Sequence, residues 1–597
     1  MQKSLSRMLV IAKAEMSIHA GALLLALVAG IITMVPYILL WSEPGYRGIE
    51  MMMLDAENHY QARIHEVYEG HPRVSNTFLS NKDGPYTTPP FGEIIIAVFG
   101  KIFRLDAARA ATISRFFSVV AITLLVYAFS FALSRSRIAA LIASAFTVLG
   151  YNLIVFSPAP FIDLAKGAPT GGPFLLFSRL VNPSISGIFL FGALALMYRR
   201  LLDSSDEKIK WQWVGTLGVV VGTSLYVSPF VFSFLSVLLF LVWVWLFVRQ
   251  GGVNARAAFF AGCIAIACAI PFALNYGALH ALPEYETVAR YLGVVPRREF
   301  VLGALLPLMV ALIAFVWPRT FPRTGRTFLF LACGAIFFVI NLQLITGVYL
   351  QGGHYHWYVT KPLAGIIAGL LVGGIIERFV QAPFRRGVVA LILSVLIFNS
   401  MGFVAPWYAE TRKVALATQA YGPLVEYLQT LKTPQTIWTD GETADFIPIY
   451  TAHNVPNTVN LGSYPIPQVF FDNRLFLEYR LRGIVPEDFE GVIREEAHHV
   501  GDRLWGLWLR ELTGDSSAIP EEEFSRLTAD YTVFYKKTWE EAFGTLGITL
   551  VAIRVADRAG FDAISWLREI ATIGDFVVYT RAIDSPPHKV SFVSMVF

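Results

Sequence analysis

Apolar runs long enough to cross a bilayer recur through the first two-thirds of this chain, and they decide its solvent. The first, Ser17 to Trp41, is almost unbroken, and a spanning helix needs about 20 residues. About eleven such segments can be read by that length criterion: 17–41, 110–133, 137–157, 184–199, 212–227, 229–248, 256–274, 300–317, 327–348, 362–379 and 388–407. Ser228-Pro229 divides the fifth from the sixth in a nearly continuous stretch. In lipid every backbone N–H and C=O must be satisfied within the protein, so these segments are expected to be helices. Only 15% of the 597 residues are charged, against about 25% in soluble domains. A net charge of +4 gives no footprint for nucleic acid. The three cysteines, Cys263, Cys268 and Cys333, all lie in apolar runs, which argues against a disulfide framework.

Charge in the loops gives the orientation. Lys3, Arg7 and Lys13 precede the first span. Every second short loop after it is basic: Arg135 and Arg137; Arg199, Arg200, Lys208 and Lys210; Arg249 and Arg256; Arg319, Arg323 and Arg326; Arg378, Arg385 and Arg386. By the positive-inside rule these loops face the cytoplasm. The expectation is a multi-pass plasma or inner-membrane protein with its N-terminus inside and its first loop outside. Pro89 to Arg104 is apolar but short, and counting it as a span would invert every later loop. It is expected to be an interfacial or re-entrant helix.

Composition shifts after Trp407. Two domains are therefore expected: a transmembrane unit, 1–408, and an extracytoplasmic α/β unit, 409–597. Strand-like runs are read at Thr436–Thr439, Phe446–Thr451, Tyr531–Tyr535, Ile548–Val555 and Phe576–Thr580, with a helical pattern at Glu487–Leu512.

The outer loops hold the chemistry. Just beyond the first span lies Asp55-Ala-Glu-Asn-His-Tyr60. Read as a helix, it puts Asp55, His59, Arg63 and Glu66 along one face, with Glu57 turned away. A carboxylate there can take a proton from a hydroxyl, ligate a metal, pair with Arg63, or simply be solvated. The second outer loop carries Asp163, Lys166 and Arg179. A guanidinium at a re-entry point can fork onto phosphate or snorkel to headgroups. The third outer loop reads Gly353-His354-Tyr-His356-Trp357-Tyr358, then Lys361. These residues suit a phosphate, a sugar face or an interfacial aromatic belt, and two histidines alone do not make a zinc site. The fourth, with Glu284, Glu286, Arg290, Arg297 and Arg298, reads as solvated. Together the loops offer a base for a hydroxyl and cations for a phosphate on one side of the membrane.

This pattern resembles the GT-C superfamily of polyprenyl-phosphate-dependent glycosyltransferases, which includes protein O-mannosyltransferases, aminoarabinose transferases and oligosaccharyltransferases. The resemblance is carried by the first-loop acids Asp55 and Glu57, by Tyr86-Thr-Thr-Pro89-Pro90-Phe through Phe103-Arg104, and by Ala110 to Arg115. Ala56 separates the two acids, where the family has a cleaner pair. The resemblance implies a GT-C-like helical membrane fold and inverting transfer of a sugar from a polyprenyl-phosphate donor to a glycan, lipid or protein acceptor. Asp55, Glu57 and His59 are then the catalytic candidates. Arg179, Lys166, His354, His356 and Lys361 become the donor-phosphate candidates by position. A first-loop acid that serves as base or metal ligand is compatible with Mg or Mn, although no cofactor is required by the sequence. A lipid-linked glycan ligase or polymerase would use the same cations, and an assembly or sensor protein is a further reading. A transporter or flippase normally shows repeated halves and charges near the midplane, whereas the spans here contain few charges and no repeat is found.

Overall fold

The computed structural model describes residues 19–52, 57–155, 157–166, 175–203, 210–249 and 252–582. It is mostly helical. Among the described residues, eight helices are long and apolar enough to cross a membrane: Ala20–Trp41, Ala107–Ser134, Ser184–Leu202, Pro229–Arg249, Val253–His280, Arg323–Thr346, Gly353–Phe379 and Ala382–Gln429. The other three expected spans are also helices, Arg137–Val148, Trp211–Ser224 and Leu305–Phe315, of 12, 14 and 11 residues. At about 1.5 Å per residue each falls short of a hydrocarbon core about 30 Å thick. Among the described residues, eight of the eleven expected spans are thus full-length helices, and the other three are shorter than the sequence reading expected.

The short helix Arg137–Val148 is held by the closest helix pairing in the bundle. Gly365, Gly369 and Gly373, one turn apart on Lys361–Phe379, face Thr147, Ala143 and Ala139. A side chain at Gly369 or Gly373 would strike the opposing backbone. Where lipid replaces water, such small-residue seams supply the packing contact that association needs. The seam matters for function because Lys361–Phe379 begins in the third outer loop.

Pro89–Arg104 is the helix Phe91–Phe103, 13 residues long. It lies against Ala107–Ser134 and Glu57–Tyr68. A side chain on Gly100 would collide with the Tyr68 hydroxyl and Ala110, so the alanines opening the next span and this glycine together permit the approach.

The boundary expected at 408/409 falls inside one continuous helix, Ala382–Ala417. Beyond it a four-stranded mixed sheet runs in the order Ile437–Trp438, Leu550–Arg554, Phe576–Arg581, Leu567–Ile573; the first pair is parallel and the others antiparallel. The remainder is helical, so the sheet is smaller than expected. Two expected strands are helices. Phe446–Thr451 lies mostly within Gly441–Tyr450, whose N-cap Asp440 accepts from the Thr443 amide at 2.8 Å. The run is buried nearly all round, and periodicity cannot separate a strand from a helix in that case. Tyr531–Tyr535 ends the helix Glu521–Tyr535, whose buried stripe is Phe524, Leu527, Tyr531 and Phe534. That three-to-four spacing is helical, and only a longer window shows it. Glu487–Leu512 is helical, as three successive helices, Pro486–Glu495, Ala497–Trp505 and Trp508–Thr513.

The core of this C-terminal part does not stop at its own residues. It takes in Ile49, Ala62, Phe78 and Ala108 from the first outer loop and the second span. The Val455 amide donates to the Phe78 carbonyl at 2.9 Å, the Thr77 and Tyr464 hydroxyls meet at 2.5 Å, and the Gln419 side chain brackets the backbone of Arg47 and Ile49.

Candidate functional site

The acidic loop becomes a helix where expected, Glu57–Tyr68. It packs through Ala62, Ile64 and Val67 and is also held by buried charge. Glu57 is wholly buried and accepts from Arg115 Nη1 at 2.7 Å. The same nitrogen donates to the Ser178 carbonyl at 2.8 Å, and the guanidinium lies over the Tyr37 ring. One residue of the second span thus ties together the first loop, the second loop and the first span. Three residues earlier on that span, Thr112 donates to Glu50 at 3.1 Å. Glu50 also accepts from Tyr46 at 2.7 Å and from Trp41 Nε1. Burial raises its carboxyl above the ordinary range, against these hydrogen bonds.

Asp55 lies outside the described residues. Its flanks are placed: Glu50 and Glu57, on either side of it in sequence, are both anchored to one helix at Thr112 and Arg115.

Arg63 is wholly buried and pairs with the wholly buried Glu93 at 2.5 Å, and also donates to the Thr88 carbonyl. A loop carboxylate paired with Arg63 was one of the readings open from the sequence; among the described residues its partner is Glu93 from the following helix. His59 stacks on Tyr464 at 5.9 Å. Burial, with Arg63 nearby, pushes its imidazole down to about 3, so it is neutral at working pH. Glu66 pairs with Lys82 at 2.9 Å and His71 at 2.6 Å, which makes it structural in this arrangement.

The second and third loops meet. Arg179 Nη1 reaches the Tyr358 hydroxyl at 3.4 Å. Tyr358 packs on His354, which stacks on Phe230 at 4.6 Å. Residues 356–360 form a single π-helical turn joining this loop to its span, a device often found at functional sites. On the other side of that turn, Lys361 is buried, with its ammonium 4.3 Å from the Tyr151 ring and 5.1 Å from the Trp357 ring. His356 packs edge-on to Trp357. A cation between two ring faces is favourably held.

Because Ser178 and Arg179 are neighbours, the Glu57–Arg115 pair and the Arg179–Tyr358–His354 group form one connected set. Lys166 stands apart, exposed at the end of the short helix Ala159–Ala165. Arg290 and Arg297 are engaged with Glu286 and Glu299 on the surface. Among the described residues no group of three or more His, Cys, Asp or Glu side chains is placed to hold a metal ion.

Sequence reasoning missed the contribution of the C-terminal part: Tyr464 and Tyr450 both reach the first loop. They lie roughly four hundred residues away in sequence, and no local signal marks them.

No protein-family model matches the chain, and no curated protein does. Solved structures are similar to it along its length. One is ArnT from Cupriavidus metallidurans bound to undecaprenyl phosphate, 14% identical, covering 93% of this chain and 99% of that one with a TM-score of 0.47. Another is the archaeal oligosaccharyltransferase AglB from Archaeoglobus fulgidus in complex with an inhibitory peptide and a dolichol-phosphate. It is 12% identical and covers 95% of this chain and 75% of that one, with a TM-score of 0.41. Activity does not follow from a likeness of fold.

Proposed function

We propose that this chain is an inverting membrane glycosyltransferase that moves a sugar from a polyprenyl-phosphate donor to an acceptor hydroxyl or amide on the outer face. The observation that supports it is the connected set just described: an acid-bearing loop anchored at Arg115, beside a cationic group built on Arg179. Asp55 takes the acceptor's proton as the acceptor oxygen or nitrogen bonds to the anomeric carbon. The bond from that carbon to the lipid phosphate oxygen breaks on the opposite face, and the electron pair leaves with the phosphate. Arg179 meets the charge that develops there, with Lys361 and the His354/His356 loop beside it. Glu57, already paired, positions the segment that carries Asp55, and neutral His59 serves as a hydrogen-bonding group. Lys166 is the weakest member of the donor set, because it stands apart.

The test is transfer in liposomes containing the purified protein and a polyprenyl-phosphate-linked sugar, read as released polyprenyl phosphate. Arg179→Lys keeps charge but loses the fork that matches phosphate oxygens. It should lower donor use by about 10-fold or more, the value of a well-placed charged contact, without lowering thermal stability. An Arg179→Ala variant that uses donor as well as the parent would make this residue an interfacial anchor only.

Orientation is part of the same proposal: N-terminus inside, residues after 409 outside, on the evidence of the basic loops. A cysteine at position 322, beside Arg323 in the basic loop, should resist an impermeant thiol reagent in intact cells and react after permeabilisation. Labelling in intact cells would reverse the topology.

A further inference from the structure

A cavity of about 490 Å³ lies between the spans Ala20–Trp41, Ala107–Ser134 and Ser184–Leu202. Tyr127, which lines it, is about 18 Å along its helix from Arg115, so the cavity is no part of the transfer site. Leu23, Leu124 and Phe131 give it apolar walls. His19 and Arg199 bring polar groups to it, and His19 Nδ1 meets the Tyr127 hydroxyl at 2.6 Å. The polar groups lie toward the helix ends. Leu23 is one turn deeper in its span than His19, and Leu124 one turn deeper than Tyr127. Leu23 and Arg199 are exposed, so the cavity opens at the face of the bundle. Its volume is that of a ligand site.

Arg199 is presented by a π-helical turn, Tyr198–Leu202, that ends the span Ser184–Leu202. Its Nη2 donates to the Ala128 carbonyl at 3.4 Å, a long contact to a neutral acceptor. The neighbouring cations are committed elsewhere: Arg200 lies over the Trp213 ring at 4.0 Å, and Arg135 is paired with Asp203. Among the described residues that line the cavity, none is acidic. A guanidinium at the edge of apolar walls, with no carboxylate in the lining, suits an anion that carries its own apolar chain. The segment before His19 matches this charge poorly, since Lys3, Arg7 and Lys13 outnumber its one acid, Glu15.

We propose that this cavity binds one anionic phospholipid, with the phosphate on Arg199 and an acyl chain along Leu23 and Leu124. In the orientation proposed above it is a lipid of the inner leaflet. The site is separate from the donor site, and it holds whether or not the chain transfers sugar. A lipid seated there touches three spans at once, so binding should stabilise the folded bundle.

The test is the thermal midpoint of the purified protein in a fixed neutral detergent, titrated with phosphatidylglycerol or with phosphatidylcholine. Phosphatidylglycerol should raise the midpoint saturably. Its half-saturating concentration should be about 5-fold or more below that of phosphatidylcholine, the worth of one basic side chain beside an anionic headgroup. Added salt should shrink the preference. Arg199→Gln should abolish it, and Ala128→Trp, which enlarges a small lining residue, should remove the saturable shift. Equal effects of the two lipids on the parent overturn the proposal, as does a preference kept in Arg199→Gln. Glycerol 3-phosphate that raises the midpoint as well as phosphatidylglycerol would make this a site for soluble phosphate and overturn the lipid assignment. Should Ala128→Trp not fold, a photoreactive benzophenone at position 124 decides the occupant. Crosslinking to phosphatidylglycerol supports the site, and crosslinking to the peptide before His19 in place of lipid overturns it.

Discussion

Asp55→Asn is expected to lower sugar transfer by about 100-fold or more, the usual cost of losing a positioned general base, while leaving the protein folded. The reasoning joins sequence to structure. The two first-loop acids that carry the family resemblance are Asp55 and Glu57. The structure commits Glu57: it is wholly buried against Arg115, a residue that also fastens Ser178. A carboxylate wholly buried against a guanidinium is engaged inside the protein. Asp55 is therefore the acid we propose as the base. Neutral asparagine is nearly isosteric with aspartate but cannot accept the proton. Donor binding should survive in the Asp55→Asn protein, because the cations lie in other loops. Full transfer by Asp55→Asn, together with loss in Glu57→Gln, would hand the role to Glu57. The helix would then have to release it from Arg115 during turnover.

Glu93→Ala is expected to destabilise the protein by about 3–5 kcal/mol, because it leaves a buried guanidinium without its counter-charge. Both side chains of the Arg63–Glu93 pair are wholly buried, at 2.5 Å, and Arg63 also holds the Thr88 carbonyl. The pair fastens the helix Phe91–Phe103 to the acid-bearing helix. Removing Glu93 should lower the thermal midpoint measured in a fixed detergent and weaken transfer with it. The apolar exchange Arg63→Met/Glu93→Leu should be much less harmful to stability, since it deletes both desolvated charges together. A Glu93→Ala protein that melts with the parent would show that the charge is reached by water.

These two expectations mark where sequence reading succeeds and where it stops. Helices were legible because lipid leaves the backbone no other way to satisfy its hydrogen bonds, and apolar length shows that directly. Helix Glu57–Tyr68 was legible from its spacing, and Phe91–Phe103 from its apolar pattern. The break at Ser228-Pro229 appears as the separate helices Trp211–Ser224 and Pro229–Arg249. Span length was less legible. An apolar run can continue into a 3-10 turn, as Tyr151–Leu153 does after Arg137–Val148, with no change in hydropathy. In the C-terminal part, strands at Ile437–Trp438, Leu550–Arg554 and Phe576–Arg581 were found from β-branched and aromatic runs. Leu567–Ile573 was missed because it is half exposed and mixed in character.

What the sequence by itself determined is the membrane habit of the chain, the order of its helices and the residue types at the outer loops. Those are local properties, set by apolar length, period and charge. What only the tertiary structure decided is which partner each buried ionic side chain meets: Glu57 with Arg115, Arg63 with Glu93, and Arg179 with Tyr358. A buried charge is tolerable only beside a partner. Which partner it finds depends on which helices meet, and that in turn depends on small-residue seams such as Gly365, Gly369 and Gly373 against Thr147, Ala143 and Ala139. Residues hundreds of positions apart become neighbours through such packing, and no window along the chain contains both ends of the contact.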